Sequence, residues 1–420
     1  GPEQGLGFIF GVWRSAPADT GLFFANRMRA RLVASIIVPA LKKYLFTPGP
    51  TQVPPEVLLE MARPIIHHRT PEFSVALDQA RQRMKPLLGT REEVILLASS
   101  GTGSMEAAVT NLLAPGDHAL YVNGGKFGER WGKMLRANQM IGHEIKVEWG
   151  RSVRPEQIEE ALKARPEAKA VFVQASETST AAIHPVEEIG EITRGREVML
   201  IVDGITSVGV FEQRMDEAGI DALLTGSQKA LMLPPGLGVI ALSRRAWERA
   251  ARIDTPRFYF DLNRELKAQR DDHTTAWTPA VALILGLNKA LELLHAETLP
   301  AVFGRHRVMA EATRDAAAAL GLKLLSPDNP APGVTGVLTP TAIDGARIVR
   351  FMRDTLGVTV QGGQDHMKGK LVRIGHMGYV SPFDVMIAIG AFEMALKEAG
   401  YKFNLGAGVA AVQKRIARDI

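Results

Sequence analysis

The sequence contains no cysteine and no long hydrophobic run. None of its 420 residues is Cys, which excludes disulfides, iron–sulfur clusters, cysteine-ligated zinc and any thiol nucleophile. No stretch of 18 uncharged apolar residues occurs, so the sequence predicts no transmembrane segment. Without disulfides the compartment stays open, and a cytoplasmic location is the expectation.

The chain also has little excess charge outside its first residues. Lys and Arg number 50 against 45 Asp and Glu, a formal charge of +5. Residues 1–43 hold six basic and two acidic side chains, so the remainder is nearly neutral. Nucleic-acid-binding proteins usually carry a basic stripe on the folded body. We therefore expect no nucleic-acid partner.

Residues 1–43 differ in composition from the rest of the chain. They begin with Gly1-Pro2, a pair typical of a protease cleavage site, and no acidic residue occurs between Thr20 and Pro55. We interpret residues 1–43 as an N-terminal extension, either a leader or a translated upstream stretch. Organellar targeting or a contact with a membrane surface remains open for this segment.

The remaining composition, 46% hydrophobic and 23% charged over the whole chain, is that of a globular protein. Short apolar runs alternate with helical patterns from about residue 90 to residue 243. The apolar runs are Val94–Ala98, Ala119–Val122, Ala170–Gln174, Met199–Val202, Ala222–Thr225 and Val239–Leu242, and the helical patterns are Ser104–Leu113, Phe127–Asn138, Pro155–Lys163 and Pro185–Thr193. This alternation predicts an α/β fold with a largely parallel sheet between helices. Functional residues are then expected at the carboxyl ends of the strands.

The pattern changes after Trp277. Long helices are predicted over 279–295 and 298–320, followed by short strands and two further helices. The predicted strands are Lys323–Leu325, Gly333–Leu338, Val358–Gln361 and Lys370–Ile374, and the helices are Gly345–Asp354 and Pro382–Glu398. We interpret residues 44–295 as a large domain with an N-terminal arm at 44–70, and residues 296–420 as a smaller α+β domain.

A segment of small residues, Ser99 to Ser104, lies between a predicted strand and a predicted helix. Small residues let the backbone close around an anion, and the helix N-terminus supplies free N–H groups. The segment lacks a Walker lysine and a full dinucleotide glycine pattern, so it suits a single phosphate. A tight turn with no ligand explains the same residues equally well.

Asp203 and Lys229 are isolated charges in apolar surroundings. Asp203 is the only charged residue between Val198 and Phe211, and Lys229 is the only one among the 22 residues from Ala222 to Ser243. A helix or turn cap explains Asp203, and a lysine that reaches solvent explains Lys229. Burial would instead lower the pKa of the lysine and make its amine a nucleophile for Schiff-base formation.

Together these features match the requirements of a pyridoxal phosphate enzyme. Such an enzyme needs a phosphate anchor, a carboxylate for the pyridine nitrogen and an amine for the aldehyde. Phe127, in a Gly-Lys-Phe-Gly turn, is a candidate for the face of the pyridine ring, although it serves equally well as core. The histidines form no ligand-like group, because His67 and His68 are adjacent and are expected to point apart in an extended segment. We expect no metal cofactor.

The chain resembles the class V pyridoxal-phosphate-dependent aminotransferases, in particular the alanine–glyoxylate and serine–pyruvate branch. The resemblance runs from about Tyr44 to the C-terminal region. It rests on Thr47-Pro48-Gly49-Pro50-Thr51, Ser99 to Ala108, Glu177-Thr178-Ser179-Thr180, Val202-Asp203, Ser227-Gln228-Lys229-Ala230 with Pro234-Pro235-Gly236, and Arg373-Ile374-Gly375. It implies fold type I, with a mostly parallel seven-stranded sheet, and a homodimer with active sites at the subunit interface.

The resemblance also implies roles for individual residues. Lys229 is similar to the Schiff-base lysine, Asp203 to the partner of the pyridine nitrogen, and Arg373 to the arginine that binds the substrate carboxylate. Further cofactor-binding positions are implied for Thr102, Gly103, Ser104 and Gln228 at the phosphate, Phe127 and Thr178 at the ring, and Thr275 or Thr278 from the partner subunit. Two positions depart from the family pattern: Ala181 replaces a usual Gly, and Ala175 a frequent His.

These implications lead to a functional hypothesis. We expect an aminotransferase that moves an amino group from alanine or serine to a 2-oxo acid, most simply glyoxylate, by a ping-pong Schiff-base mechanism. A phosphoserine or 2-aminoethylphosphonate aminotransferase is the alternative, and it would need an extra basic cluster. A non-catalytic partner subunit of the soluble hydrogenase type is a third interpretation. Cysteine desulfurases share the fold but need a catalytic cysteine, which this sequence lacks.

Overall fold

The computed structural model describes residues 42–419. In this range the chain forms thirteen α-helices: α1 (Pro55–Met61), α2 (Pro71–Leu88), α3 (Gly101–Leu112), α4 (Lys126–Ala137), α5 (Pro155–Ala164), α6 (Val186–Thr193), α7 (Arg244–Ala250), α8 (Leu262–Arg270), α9 (Val281–Glu297), α10 (Leu299–Ala319), α11 (Gly345–Leu356), α12 (Pro382–Glu398) and α13 (Ala407–Asp419). None of them is long and apolar enough to cross a membrane. All but the last two residues of the predicted N-terminal extension lie outside this range.

The strands form one large sheet and several small ones. In chain order they are β1 (Tyr44–Leu45), β2 (Val94–Ala98), β3 (His118–Asn123), β4 (Ile141–Lys146), β5 (Ala170–Gln174), β6 (Ser176–Glu177), β7 (Ala182–Ile183), β8 (Met199–Asp203), β9 (Ala222–Gly226), β10 (Leu237–Leu242), β11 (Val334–Leu338), β12 (Val358–Thr359), β13 (Gln361–Gly362) and β14 (Leu371–Gly375). The large sheet has seven strands in the order β2-β10-β9-β8-β5-β3-β4. Only β10 runs antiparallel to its neighbours, so the predicted α/β fold with a mostly parallel seven-stranded sheet is confirmed.

The sheet is buried on both faces because its central strands are apolar at nearly every position. Along β5, Val171 and Val173 belong to one hydrophobic core, whereas Ala170 and Phe172 belong to the core on the other face. Helices α2 and α9 contribute to the first core and α3 and α4 to the second. Side chains alternate between the faces of a strand, so a continuous apolar run is what a sheet covered on both sides requires.

A second sheet of three antiparallel strands follows later in the chain, in the order β11-β14-β13. Its apolar core is built mainly by residues after 308, including Ile348, Val372 and Phe392, and it also takes in Phe46 from the N-terminal arm. The two-residue strand β1 in that arm pairs with β12. Residues 44–419 belong to one compact unit, and the division at residues 295 and 296 stays a prediction.

Two predicted strands differ from the structure. Residues 323–325 form no strand, and only Leu324 makes an isolated bridge to Val337. The run Val358–Gln361 is divided between β12 and β13, which belong to different sheets on either side of Val360. Strand β4 was not predicted. It is the edge strand of the large sheet, and its sequence, with mostly exposed or half-buried positions, lacks an apolar run.

The expected orientation of His67 and His68 is also wrong. Their rings do not point apart but stack, with centroids 4.5 Å apart. The backbone turns here, since the Thr70 N–H donates to the His67 carbonyl oxygen at 3.1 Å. A turn removes the alternation of side chains that an extended segment would impose.

Candidate active site

Several loops that follow the carboxyl ends of the large-sheet strands meet around one small cavity. Strand β2 leads into α3, β8 ends at Asp203, and β9 leads into the loop that carries Lys229. The cavity is lined by Ser100, Gly101, Thr102, Phe127, Arg130, Ser176, Thr178, Asp203, Ile205, Thr206, Gln228 and Lys229. Six of these residues were predicted from the sequence as site residues, and the parallel topology brings them together, as expected for an α/β sheet.

Lys229 is buried, with a relative exposure of 9%. Its Nζ donates to the carbonyl oxygen of Pro48 at 2.6 Å, and Thr51 Oγ1 donates to the Lys229 carbonyl oxygen at 2.8 Å. Gly49 is required in this contact, since a Cβ there would overlap the lysine side chain and its φ is +113°. Burial lowers the pKa of Lys229 to about 8, with Asp203 acting in the opposite direction. The amine is therefore nearer to its neutral, nucleophilic form than an exposed lysine.

Asp203 is the last residue of β8 and is also buried. The Ile205 N–H donates to its Oδ1 at 2.8 Å, and no other hydrogen bond to this carboxyl group occurs within residues 42–419. Burial raises the pKa of Asp203 to about 7. A carboxyl group with so few donors can receive a cationic partner, and within residues 42–419 no side chain forms an ion pair with it.

The N-terminus of α3 lies at the same cavity. The N-cap residue Ser100 makes no side-chain cap, and the N–H groups of Gly101 and Thr102 donate to no acceptor among the described residues. The Gly103 N–H donates to the Ser100 carbonyl oxygen at 2.9 Å instead. In the same cavity, the Gln228 side-chain oxygen is buried with no hydrogen-bond partner within residues 42–419. Free N–H groups at a helix start are a binding site for a phosphate group.

Of the predicted phosphate-binding residues, Thr102 and Gln228 line the cavity, whereas Gly103 and Ser104 do not. Ser104 is fully buried, and its hydroxyl points at Gly238 of β10, where an added Cβ would overlap the Ser104 Oγ. A role for Ser104 at the phosphate therefore stays a prediction that the position of this side chain does not favour.

Phe127 and Ile205 supply apolar surface to the cavity. Phe127 lies in the first turn of α4, and the guanidinium of Arg130 lies over its ring at 4.9 Å from the centroid. Arg130 also donates to the Thr102 hydroxyl at 2.9 Å. It therefore connects the start of α4 to the start of α3, and its positive charge acts on both Asp203 and Lys229.

Thr178 joins the β6–β7 turn to the loop after Asp203. Its hydroxyl is hydrogen-bonded to the Thr206 hydroxyl at 2.8 Å, and Thr206 donates to the Ser176 carbonyl oxygen at 3.0 Å. The same turn contains Ala181 with φ at +58°. A left-handed conformation favours glycine, so the structure accounts for the glycine of the family pattern and shows the alanine of this chain to be strained.

Arg373 is buried in the central strand of the small sheet, β14, with a relative exposure of 4%. It donates through Nη1 to the Thr178 carbonyl oxygen at 3.1 Å and through Nε to the Gly362 carbonyl oxygen at 3.0 Å. No carboxylate within residues 42–419 forms an ion pair with it. Burial lowers its pKa to about 10, and its charge acts on Lys229. Two carbonyl oxygens thus orient a guanidinium that no acidic side chain contacts.

Thr275 and Thr278 do not lie at the cavity of Lys229 in the same chain. They line a separate, narrow space with Tyr259, Glu265 and Trp277. Thr275 Oγ1 donates to the Trp277 carbonyl oxygen at 2.5 Å. The implied role of these threonines requires a partner subunit, so it stays a prediction.

Six further residues line the cavity. Ser100 and Gly101 belong to the predicted small-residue segment Ser99 to Ser104, and four were not predicted from the sequence: Arg130, Ser176, Ile205 and Thr206. For three of them a signal was present, since Ile205 and Thr206 follow Asp203 closely and Ser176 precedes the Glu177-Thr178 motif. Arg130 had a weaker signal, a position three residues after Phe127 on a predicted helix. It stands in an ordinary charged helix sequence, so only the fold distinguishes it.

Comparison with known proteins assigns the chain to a family. The model for "Aminotransferase class-V" matches residues 43–382. The chain belongs to the class V aminotransferases. The family and its structural neighbours imply pyridoxal phosphate as cofactor.

Relatives of this class V aminotransferase carry different names. A Synechococcus protein named soluble hydrogenase, small subunit, is 40% identical over 89% of this chain and 98% of its own. Serine–glyoxylate aminotransferase of Methylorubrum extorquens is 37% identical over 90% and 97%, and L-aspartate–glyoxylate aminotransferase of Paracoccus denitrificans is 35% identical over 88% and 95%. The crystal structure of ureidoglycine–glyoxylate aminotransferase from Bacillus subtilis superposes with a TM-score of 0.87 at 27% identity, covering 90% of this chain and 99% of that one.

The cavity fits the cofactor of the family. The free N–H groups of α3 suit its phosphate, the nearly unsatisfied carboxyl group of Asp203 suits its ring nitrogen, and the Lys229 amine suits its aldehyde. Phe127 and Ile205 provide apolar surface for a flat ring. The helix start and Asp203 each lack, among the described residues, the partner that the cofactor would supply.

Proposed function

We propose that this class V aminotransferase moves the amino group of alanine or serine to glyoxylate. The observation that carries the proposal is the convergence of Lys229, Asp203 and the N-terminus of α3 on one cavity, with Arg373 close enough for its charge to act on Lys229. The names of two relatives, which pair serine or aspartate with glyoxylate, support the choice of acceptor.

Pyridoxal phosphate, when bound, supplies an aldehyde that accepts the amino group and a ring that draws electrons from the substrate α-carbon. Lys229 would hold the cofactor covalently and, once freed by the incoming amino acid, would take the proton from the α-carbon on its Nζ. A pKa of about 8 suits this task, because a general base works best when its pKa is near the operating pH.

Asp203 would hold the ring nitrogen in its protonated form through its free carboxylate oxygen. The buried position matters, because a charge-assisted hydrogen bond is stronger where water is excluded. Bringing a cation to Asp203 also reverses the effect of burial, so we expect the pKa of this carboxyl group to be lower in the loaded enzyme than in the free protein.

Arg373 would bind the carboxylate of the amino acid through its free N–H groups. The carbonyl oxygens of Thr178 and Gly362 hold the guanidinium in place, which would limit the positions that a bound α-carbon can take. Among the described residues, Arg130 and Arg373 are the arginines whose charges act on Lys229. Arg130 donates to the Thr102 hydroxyl, which leaves Arg373 as the arginine for a substrate carboxylate. A single arginine for this role favours a small monocarboxylic donor over aspartate or phosphoserine.

We also propose a cytoplasmic homodimer, in which Thr275 or Thr278 reaches the cofactor phosphate of the partner subunit. Large apolar side chains are exposed on residues 42–419, including Leu59 at 71%, Ile65 at 77% and Phe258 at 69%. Apolar surface left exposed in one chain is common where a second subunit packs. Light scattering of the purified protein gives the mass, and Thr278→Ala and Thr275→Ala should each weaken cofactor binding if the proposal holds for that residue.

A half-reaction experiment tests the proposed function. The visible absorbance band of the loaded protein should be bleached by alanine or serine and restored by glyoxylate, with no bleaching in Arg373→Ala at the same donor concentration. Bleaching by aspartate or phosphoserine but not by alanine and serine would replace the substrate assignment. A protein that binds the cofactor and responds to no amino acid would support the non-catalytic, hydrogenase-type interpretation.

A further inference from the structure

Two histidines and a glutamate come together at the opposite end of the large sheet from Lys229. His118 begins β3, His143 lies in the edge strand β4, and Glu167 lies in the turn between α5 and β5. Their ligand atoms all lie within 4.8 Å of one another. No metal site was predicted from the sequence, because the three residues are separated by 24 or more positions along the chain.

The strand register fixes the two imidazoles on one face of the sheet. His143 is the parallel-strand partner of Leu120, which lies two residues after His118 and so on the same face. The Lys169 N–H donates to the His118 carbonyl oxygen at 2.8 Å, which holds the α5–β5 turn against the start of β3. His118 and His143 are therefore carried by strands of the sheet, and Glu167 by a turn that is hydrogen-bonded to the first of them.

Two of the three distances between ligand atoms are close to those around a tetrahedral metal ion. His143 Nε2 lies 3.1 Å from His118 Nδ1, and Glu167 Oε1 lies 2.9 Å from the same nitrogen. Ligand atoms at the usual zinc distances are separated by about 3.3 Å in a tetrahedron. The ligand atoms of His143 and Glu167 lie within 4.8 Å of each other, so these two side chains would approach each other around a bound ion.

Hydrogen bonds among the three side chains cannot satisfy all of their polar atoms at once. His118 Nδ1 faces both His143 Nε2 and a carboxylate, and a neutral imidazole nitrogen carries either one proton or one lone pair. A single proton on Nδ1 would have to be shared between two acceptors, and a lone pair on Nδ1 would face the negative carboxylate. A cation at the centre satisfies all three groups at once.

We propose that His118, His143 and Glu167 form a surface site for a divalent transition-metal ion, with Zn²⁺ as the natural candidate. Two imidazoles and one carboxylate favour zinc, nickel or copper over magnesium and calcium, which prefer oxygen ligands alone. The side chains of His118 and Glu167 are 30% and 42% exposed, so the site is open to solvent and water completes the coordination. The ion would link the edge strand β4 to β3 and to the α5–β5 turn through its coordination bonds.

Equilibrium dialysis of the cofactor-loaded full chain against Zn²⁺ tests the proposal, with bound metal counted by atomic emission. We expect one ion per chain in the wild type and an affinity reduced by about 100-fold or more in His118→Gln and His143→Gln, beyond what loss of an outer-shell partner usually costs. Both substitutions keep a hydrogen-bonding side chain, and circular dichroism without metal checks that the variants fold.

Two matched variants sharpen the test. His273→Gln removes a histidine that contacts one carboxylate, Asp78, at 2.7 Å and has no second imidazole in contact, so it should leave zinc binding unchanged. Arg165→Ala should tighten binding, because the Arg165 charge acts on both His143 and Glu167. In addition, Zn²⁺ should raise the unfolding temperature of the wild type and not that of His143→Gln.

The proposal is overturned if the wild type retains no stoichiometric zinc. It is equally overturned if the double variant His118→Gln/His143→Gln binds zinc as tightly as the wild type. The aminotransferase cofactor does not affect this comparison, because the variants differ only at the far end of the sheet and share the same cofactor site.

Discussion

Two buried aspartates on neighbouring strands of the large sheet have opposite surroundings. Asp221, which directly precedes β9, accepts hydrogen bonds from the Leu200 N–H at 2.8 Å, the Ser243 hydroxyl at 2.8 Å and Arg245 Nε at 2.6 Å. Asp203, at the carboxyl end of β8, accepts only the Ile205 N–H within residues 42–419. Both are buried, with relative exposures of 2% and 5%.

The difference separates charges that are paired within the fold from charges that we propose bind a ligand. A buried charge is costly unless it is paired and hydrogen-bonded. Asp221 finds its partners in the protein, whereas Asp203, like Lys229 and Arg373, has no ion-pair partner among the described residues. These three unpaired charges act on one another or line the same cavity, which indicates that this cavity binds a charged ligand.

Lys229→Ala removes one of the unpaired charges at the cavity and should have the largest effect on activity. We expect the rate of amino transfer to fall by at least about 10³-fold, because the variant loses both the covalent attachment and the base. Stability should not fall, since a desolvated amine is removed. Single-turnover absorbance measures the rate, with the exposed Lys163→Ala as control. A Lys229→Ala variant that retained a tenth of the wild-type rate would remove this lysine from the mechanism.

Exchanging each aspartate for asparagine should have opposite results: one substitution should lower stability, and the other should lower activity. Asp221→Asn removes the buried carboxylate that pairs with Arg245, whose side chain is 37% exposed, and should cost about 1–3 kcal/mol of unfolding free energy. Asp203→Asn should leave stability of the cofactor-free chain equal or higher, while lowering kcat by about 10²-fold or more. Urea unfolding and steady-state kinetics measure the two effects. Equal destabilisation by both substitutions would contradict the distinction.

The cofactor-free protein should show the raised pKa of Asp203 in its pH dependence. Burial raises this pKa from 3.8 to about 7, so between these values the folded state binds more protons than the unfolded state and stability falls as pH rises. The difference in unfolding free energy between the wild type and Asp203→Asn should therefore grow from pH 4 to 7 and then become constant.

Lys229 should affect the unfolding free energy at higher pH than Asp203 does, and the change with pH should have the opposite sign. Its pKa is lowered from 10.5 to about 8, so between these values the unfolded state binds more protons and stability rises with pH. Denaturant titrations at several pH values measure both changes. A flat difference between wild type and Asp203→Asn would show that this carboxyl group is ionised at its ordinary pKa.

Ala181→Gly should have the smallest effect. Relief of the left-handed conformation at φ +58° should stabilise the protein by up to about 1 kcal/mol, whereas Ala182→Gly in the adjacent strand should destabilise it by about 0.5–1 kcal/mol. The same turn carries Thr178, whose carbonyl oxygen positions Arg373. If Ala181→Gly also changes KM, the backbone strain at residue 181 affects substrate binding. If only the unfolding temperature changes, the strain affects stability alone.

The central strands were predicted well because they are buried on both faces and therefore apolar almost throughout. Five of the six predicted strands of the large sheet begin and end within one residue of the observed bounds, and the last, Val239–Leu242, begins two residues late. The polar edge strand β4 was missed because one exposed side removes the apolar run. Residues 323–325 were wrongly predicted as a strand, since two leucines after a lysine do not show whether a partner strand lies beside them.

The residues that we propose carry the chemistry of the cavity are conspicuous in the amino-acid sequence. A single charge in an apolar run, as at Asp203 and Lys229, is conspicuous there because burying it without purpose would be costly. Which polar groups stay unsatisfied, and which distant residues meet, depends instead on the tertiary structure. Strand order and register bring Arg130 to Thr102, and bring His118, His143 and Glu167 together near the sheet edge. Local burial can be predicted from a short stretch of sequence. Strand order and register cannot, because they depend on contacts between residues far apart in the chain.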